Sequence, residues 1–455
     1  MRRILTGVLA IALAVAVMSP GSSAQILTTN RILFEGARLV VGDGSAPIEN
    51  SAFTIENGQF TRVGKKGELT PSPGMVRVDL TGKTVIPALL DAHAHVGYTK
   101  GLTDLQENYT RENFTDILRR YAYSGVAAVE SLGSDRGDLP YQIQNGPPIS
   151  DAALYVTTGR GLAPPMQGPG PAVLKPAPYG VTNEAEARKD VQELAATKVR
   201  IIKIWVDDRN GTVTKLSPEL SRAIIDEAHK RNLLVVAHAS KLDDLKDLVR
   251  AGLDGSAHIG LVANVDDELV TLLKARPQFF FTGLVGGSYR GVEPGRPAWF
   301  DDPLLRAVVP GAQLKRLGDS MAARAPDAVT RTRERFEQLK GIVAKLRSAN
   351  VRIALGTDAG PGDQFFGWGV HYELETMVAL GMTPMQAIVS GTQTSADVMG
   401  LKQLGTVAAG KSADFIVLDA NPLDSIVNSR KIGKVYVRGS EVNRAKLGAA
   451  WARER

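Results

Sequence analysis

Between Thr84 and Leu355, eight short apolar runs alternate with longer segments of helical periodicity. The runs are Thr84–Leu90, Val126–Ser131, Ala153–Thr157, Ile201–Val206, Leu234–Ala237, Gly255–Ala257, Gln278–Thr282 and Arg352–Leu355. Helical patterns over Arg111–Tyr123, Glu184–Thr197, Pro218–Arg231, Leu242–Ala251 and Ala328–Ala349 fall between them. Thr383-Pro384-Met385 opens another helix after the eighth run, with Pro at its first position. Parallel strands cannot be joined by hairpins and need a crossover, usually a helix. Eight strand–crossover units are the arithmetic of a (β/α)8 barrel. In that fold the chemistry collects at the C-terminal ends of the strands. The Gly- and Pro-rich stretch from Gly159 to Gly180 is expected to run as a long loop over that face.

A different pattern flanks the alternation. Arg31–Val41, Ala52–Val63 and Met75–Leu80 read as short strands broken by Gly42-Asp43-Gly44, Asn57-Gly58 and Gly82. Asp414–Leu418 and Lys434–Gly439 read as strands near the other end. Strands at both ends predict one small discontinuous β domain, with residues 25–86 and 399–455 enclosing a barrel at 87–398. Residues 1–24 carry Arg2 and Arg3, an apolar run from Ile4 to Val17 and the small residues Ser22-Ser23-Ala24. This is the pattern of a cleavable signal peptide, since the run is short for a bilayer span. It predicts a secreted or periplasmic protein with no stable membrane insertion after cleavage.

Composition narrows the chemistry. There is no Cys, so disulfides, thiolate metal sites and cysteine nucleophiles are excluded. The net charge of +6 comes without a Lys/Arg block that could track phosphates, so no nucleic-acid partner is expected. A small-molecule substrate fits better, and the pattern leaves homo-oligomerisation open.

Four of the six histidines stand at expected strand ends. His93 and His95 are two residues apart in an extended segment and so point the same way, a geometry suited to a shared metal ion. His238 closes Leu234–Ala237 and His258 closes Gly255–Ala257. Asp358 follows the eighth run in Leu355-Gly356-Thr357-Asp358-Ala359-Gly360. Lys203 lies in the apolar Ile201-Ile202-Lys203-Ile204-Trp205, where a bare ammonium would be costly. Either a distant acid or a substrate group meets it, or it reacts with CO2 to form a carbamate able to bind metal. His229 is expected on a helix surface. His371 is expected near the start of a helix, as a candidate support for the ligands.

In this order the motifs resemble the amidohydrolase superfamily, in particular its imidazolonepropionase-like and prolidase-like dipeptidase branch with a strand-four lysine. The segments that carry the resemblance are Pro87 to Asp91-Ala92-His93-Ala94-His95, Ile202-Lys203-Ile204, Ala237-His238-Ala239, His258 and Gly356–Gly360, with the return through Gly405–Gly410 and Ala413-Asp414-Phe415. The resemblance implies a distorted barrel with a β-sandwich and two divalent metal ions, zinc being expected. His93, His95 and Asp358 would hold one ion and His238 and His258 the other, bridged by N6-carboxylated Lys203 and a hydroxide. It implies hydrolysis of an amide or peptide bond, with Asp358 moving the proton. A dipeptide or N-acyl amino acid is the expected substrate. A lactone, carbamate or cyclic amide is the alternative, and a non-catalytic binding protein the remaining one. Substrate contacts are expected from Tyr98, Tyr289 and Arg290, with Arg160 and Arg209 as further cations on the same face. The continuation Trp205-Val206-Asp207-Asp208-Arg209 departs from the Gly-rich pattern of several dipeptidases.

Overall fold

The computed structural model describes residues 31–259, 264–283, 292, 296–362 and 365–452. Eight parallel strands form the barrel: β1 (Leu89–Ala94), β2 (Val126–Ser131), β3 (Leu154–Thr157), β4 (Ile201–Val206), β5 (Leu234–Ala239), β6 (Gly255–Ala257), β7 (Phe280–Thr282) and β8 (Arg352–Ala354). Successive ladders run β1–β2–β3 and β4 through β8. The seam between β8 and β1 is closed by backbone bonds: Ala92 N–H to the Leu355 carbonyl (2.9 Å) and His95 N–H to that of Ala359 (2.7 Å). The distortion lies at strand three. After β3 the chain bends, and Leu162–Ala163 pairs with Ile204 of β4 instead. The barrel strands are buried on both faces, which is why they read as continuous apolar runs rather than alternating ones.

Helices fill the crossovers at Arg111–Tyr123, Glu184–Ala196, Pro218–Lys230, Leu242–Ala251 and Pro326–Ser348, close to the expected segments. Thr110, Asn183 and Ser217 cap three of them by accepting backbone N–H bonds. Thr383 forms a capping box with Gln386 at the start of Pro384–Val389. Further helices at Asp267–Lys274, Pro303–Val308 and Gly311–Ala322 lie outside the segments expected from periodicity. Among the described residues no helix is long and apolar enough to cross a membrane.

Strands from both chain ends build two further sheets. One runs Gln59–Lys65, Ser51–Glu56, Ile32–Glu35, Val76–Asp79. The other runs Arg38–Leu39, Thr84–Pro87, Phe415–Leu418, Ile432–Val437, Ser440–Glu441. An aromatic cluster joins them: Phe34 stacks on Phe53 at 5.0 Å, Phe415 stacks on Tyr436 at 4.5 Å, and Phe34 meets Phe415 edge-on at 5.3 Å. One expected strand is corrected here. Thr84–Leu90 is not a single barrel strand; Thr84–Pro87 pairs antiparallel with Phe415–Leu418, and the barrel strand starts at Leu89. Pro87 lacks an N–H, and the chain changes partners two residues on: Ala88 N–H still bonds the Asp414 carbonyl beside Phe415, whereas Leu89 N–H bonds that of Gly125.

Candidate metal centre

Strand periodicity places the reactive side chains on one end of the barrel. His93 lies in β1 with His95 one residue beyond it, Lys203 in β4, His238 in β5, His258 just after β6 and Asp358 four residues after β8. His258 and Asp358 both adopt left-handed backbone, φ +63° and +56°. That conformation is uncommon away from glycine and often marks a functional position. The turn from β8 passes so close to β1 that a Cβ at Gly356 would stand 2.7 Å from the Cβ of His93.

His93, His95 and Asp358 offer ligand atoms all within 4.8 Å of one another. Asp358 Oδ1 lies 3.4 Å from His93 Nε2 and 3.1 Å from His95 Nε2, and Oδ2 lies 4.0 Å from His258 Nε2. The His258 ring stacks on His93 at 4.5 Å and meets His238 edge-on at 5.1 Å. Thr282 Oγ1 lies 3.3 Å from His93 Nδ1 and Ser134 Oγ 2.8 Å from His95 Nδ1. Both contacts leave Nε2 facing Asp358. His93 Nε2, His258 Nδ1 and Lys203 Nζ are buried with no hydrogen-bond partner. Orphaned buried nitrogens are costly in a protein alone, and for His93 Nε2 and Lys203 Nζ, which belong to the ligand cluster, a cation or a chemical modification would satisfy them.

Electrostatics agree with that reading. Burial pushes His93 and His258 well below the usual imidazole range, keeping them neutral and able to ligate. Burial also pulls the Lys203 ammonium down to about 7, against the opposing charge of Asp358. Burial alone would raise Asp358, but its place against the imidazoles of His258 and His93 and its hydrogen bond with His95 outweigh burial and hold the carboxyl well below the usual range.

Other residues tie this cluster down. Asp91 is fully buried and accepts from His93 N–H, Thr357 N–H, Thr357 Oγ1–H and the Tyr121 hydroxyl, so it joins β1 to the turn after β8. Its burial raises it to about 6 despite those bonds. Asp135 accepts from Tyr109, Ser131, Tyr155 and Thr157 and fixes the turn that carries Ser134. Asp207 lies 3.1 Å from His238 Nε2. Asp91 stands within the strand-one motif, whereas nothing in the sequence singles out Asp207 or Asp135 as supports, because their partners come from other loops.

The expected substrate residues fare differently. Tyr98 is fully buried, and its hydroxyl donates to the Ser134 carbonyl at 2.6 Å, so it supports the His95 contact rather than lining an open wall. Tyr289 and Arg290 lie outside the described residues. Arg160 donates to the carbonyls of Ala177 and Pro178 and stacks on Tyr179, and Arg209 donates to the carbonyl of Gly168. Both guanidiniums hold the 159–180 loop. His371 bonds Ser429 Oγ and the Ser124 carbonyl, away from the ligands. His229 is partly exposed and pairs with Asp254.

Known proteins are similar to this chain in sequence and in fold. The sequence model for the amidohydrolase family matches residues 84–442. Ochratoxinase of Aspergillus niger is 26% identical over 434 residues, covering 87% of this chain and 82% of that protein. Imidazolonepropionase of Maricaulis maris is 25% identical over 414 residues, covering 87% of this chain and 92% of the relative. The crystal structure of a putative prolidase from Bifidobacterium longum superposes with a TM-score of 0.71 at 24% identity, covering 93% of this chain and 99% of that one. The barrel with its sandwich, the histidines and Asp358 gathered at the strand ends, and a family match over most of the length make this chain a member of the amidohydrolase family, hydrolases that act on carbon–nitrogen bonds.

Proposed function

We propose that the protein is an exported, metal-dependent hydrolase of an amide or peptide bond, with a dipeptide or N-acyl amino acid as substrate. The observation that carries this is the convergence of His93, His95, His258 and Asp358 beside a buried, unpartnered Lys203. His93, His95 and Asp358 would hold one divalent ion and His238 and His258 a second, zinc suiting such nitrogen and oxygen donors. Lys203 would supply a further carboxylate after its neutral amine adds CO2, forming an Nζ–C bond and releasing one N–H proton. A pKa drawn down to about 7 provides the neutral amine this step needs. When bound, the ions would supply Lewis acidity, polarising the carbonyl and bringing a water pKa from 15.7 towards ~7.

The chain's own residues do the rest. Asp358 turns Oδ1 to His93 and His95, which leaves Oδ2 to take a proton from the attacking water and deliver it to the departing amine. An amide requires that delivery, since an amide anion is a very poor leaving group. Similarity to the putative prolidase and to a solved Xaa-Pro dipeptidase with bound methionine supports a dipeptide-like substrate. With Arg160 and Arg209 engaged by the 159–180 loop, a carboxylate anchor rests on Arg290. Arg2, Arg3 and the apolar run that follows support export.

The test is metal analysis together with an amide panel. Purified protein should carry close to two divalent ions per chain and hydrolyse N-acyl amino acids faster than their C-terminal amides. One tightly bound ion with full activity would overturn the two-metal reading, and equal rates for acid and amide would remove the carboxylate anchor. Protein recovered from the periplasm should begin at Gln25.

A further inference from the structure

The loop after β4 is joined to β5 and the segment after it by one carboxylate–imidazole contact and two ion pairs. Asp207 Oδ2 lies 3.1 Å from His238 Nε2, Asp208 bonds Lys241 Nζ at 2.6 Å, and Lys215 Nζ grips both oxygens of Asp244 at 2.7 Å. Asp207 is itself held: its Oδ1 accepts from Arg209 N–H at 2.9 Å and from Ser240 Oγ at 2.8 Å. Arg209 in turn bonds Gly168 in the loop above. Both side chains of the Asp207–His238 pair are largely buried, with 14% and 17% of their surfaces exposed. The other candidate ligands are oriented differently. His93 and His95 use Nδ1 for hydroxyl partners and turn Nε2 to Asp358, and His258 also turns Nε2 to Asp358.

We infer that Asp207 is a positioning residue that fixes His238 in the Nε2–H tautomer and so makes Nδ1 its ligating atom. A carboxylate accepts and does not donate, so the proton between the two groups belongs on Nε2. A neutral imidazole with its proton there carries its lone pair on Nδ1. Without Asp207 both tautomers become accessible and the ring is free to turn about its bond to Cβ. In the alternative tautomer Nε2, not Nδ1, carries the lone pair. Arg209 N–H and Ser240 Oγ hold the carboxylate in place, so the group that orients His238 comes from the loop after β4 rather than from its own strand. This inference rests on the reading of His238 as a ligand.

The test uses the full-length chain labelled with 15N-histidine, stripped of metal by chelation and observed at pH 8. The six imidazoles give a tractable set of signals, and His238→Asn assigns the one in question. Wild type should show His238 protonated on Nε2. Asp207→Ala should give mixed tautomers and bind the weaker of two zinc ions about 10–100-fold less tightly in a dialysis titration. Asp207→Asn, whose carbonyl still accepts from Nε2–H, should keep the tautomer and restore most of that affinity. An Nδ1–H tautomer in wild type, or an Asp207→Ala protein with unchanged tautomer and zinc affinity, would overturn the inference. A wild-type protein that shows the Nε2–H tautomer but binds no divalent ion would uphold Asp207 as the orienting group while overturning the proposed metal chemistry.

Discussion

Lys203 and Asp358 show how one side chain can decide an entire chemistry. Lys203 is fully buried without a hydrogen-bond partner, its Nζ 5.3 Å from the centre of the Trp205 ring, and burial of that kind favours a neutral or modified amine. Lys203→Ala should lose most of the bound metal and activity, and propionate added to that variant should restore part of both by supplying the missing carboxylate. Asp358→Asn keeps the shape but not the base, and turnover should fall by ~10²-fold or more with an unchanged circular dichroism spectrum. Glu130 in β2 poses a separate question, since both its oxygens are buried without a hydrogen-bond partner. Burial raises it to about 8, only slightly offset by Arg200. The unfolded chain therefore releases this proton near the ordinary glutamate value while the folded chain keeps it. Between those values stability falls as pH rises, by on the order of 5 kcal/mol from this group at most. Glu130→Gln cannot ionise, so its melting temperature relative to wild type should climb steadily from pH 5 to pH 9. A constant difference across that range would show that Glu130 is ionised in the folded protein.

Among the elements, the turns that follow the strands matter more than the strands. The passage from β8 to Asp358 runs against β1, and an added methyl at Gly356 would meet His93 Cβ, His93 N and the Thr282 carbonyl carbon. Gly356→Ala should cost ~1–3 kcal/mol by overpacking, and it should displace His93 from Asp358. Zinc affinity should then drop more steeply than the melting temperature, which a chelator competition set beside a thermal melt would reveal. Gly133 works similarly at the other side of the site, with φ +80° and a position where any Cβ would stand 2.5 Å from the Lys203 side chain. The 159–180 loop is tied to itself by Arg160 and to the loop after β4 by Arg209, so cations that look available in sequence are spent on loop carbonyls.

At the scale of the whole molecule, one short stretch of chain leads straight from the sandwich into the barrel. Thr84–Pro87 pairs with Phe415–Leu418, and two residues later the chain is β1 and carries the first ligands. Phe415 lies in the aromatic cluster, fully buried. Phe415→Ala should remove about 3–5 kcal/mol of stability. The activity of the molecules that remain folded should change little, because the cluster shares no side chain with the metal centre. A urea titration monitored by fluorescence and by activity would show both midpoints moving together.

The strand–helix alternation and seven of the eight barrel strands could be read directly from local order, because buried parallel strands leave unbroken apolar runs, and the candidate His and Asp at their ends stand out against them. The helix starts at Arg111, Pro218 and Pro384 were equally legible, and the structure shows each capped by the residue just before it, since a cap needs only neighbours in sequence. Three things were not. The split of Thr84–Leu90 depends on a strand more than three hundred residues away. The fate of Arg160, Arg209 and Tyr98 depends on which carbonyls the folded loops bring to them. The contact between Asp207 and His238 depends on two loops meeting across adjacent strands. Local sequence determines what a segment can become through propensity and periodicity, whereas the partner of a polar group is chosen by the fold, since burying such a group requires some partner but does not specify one.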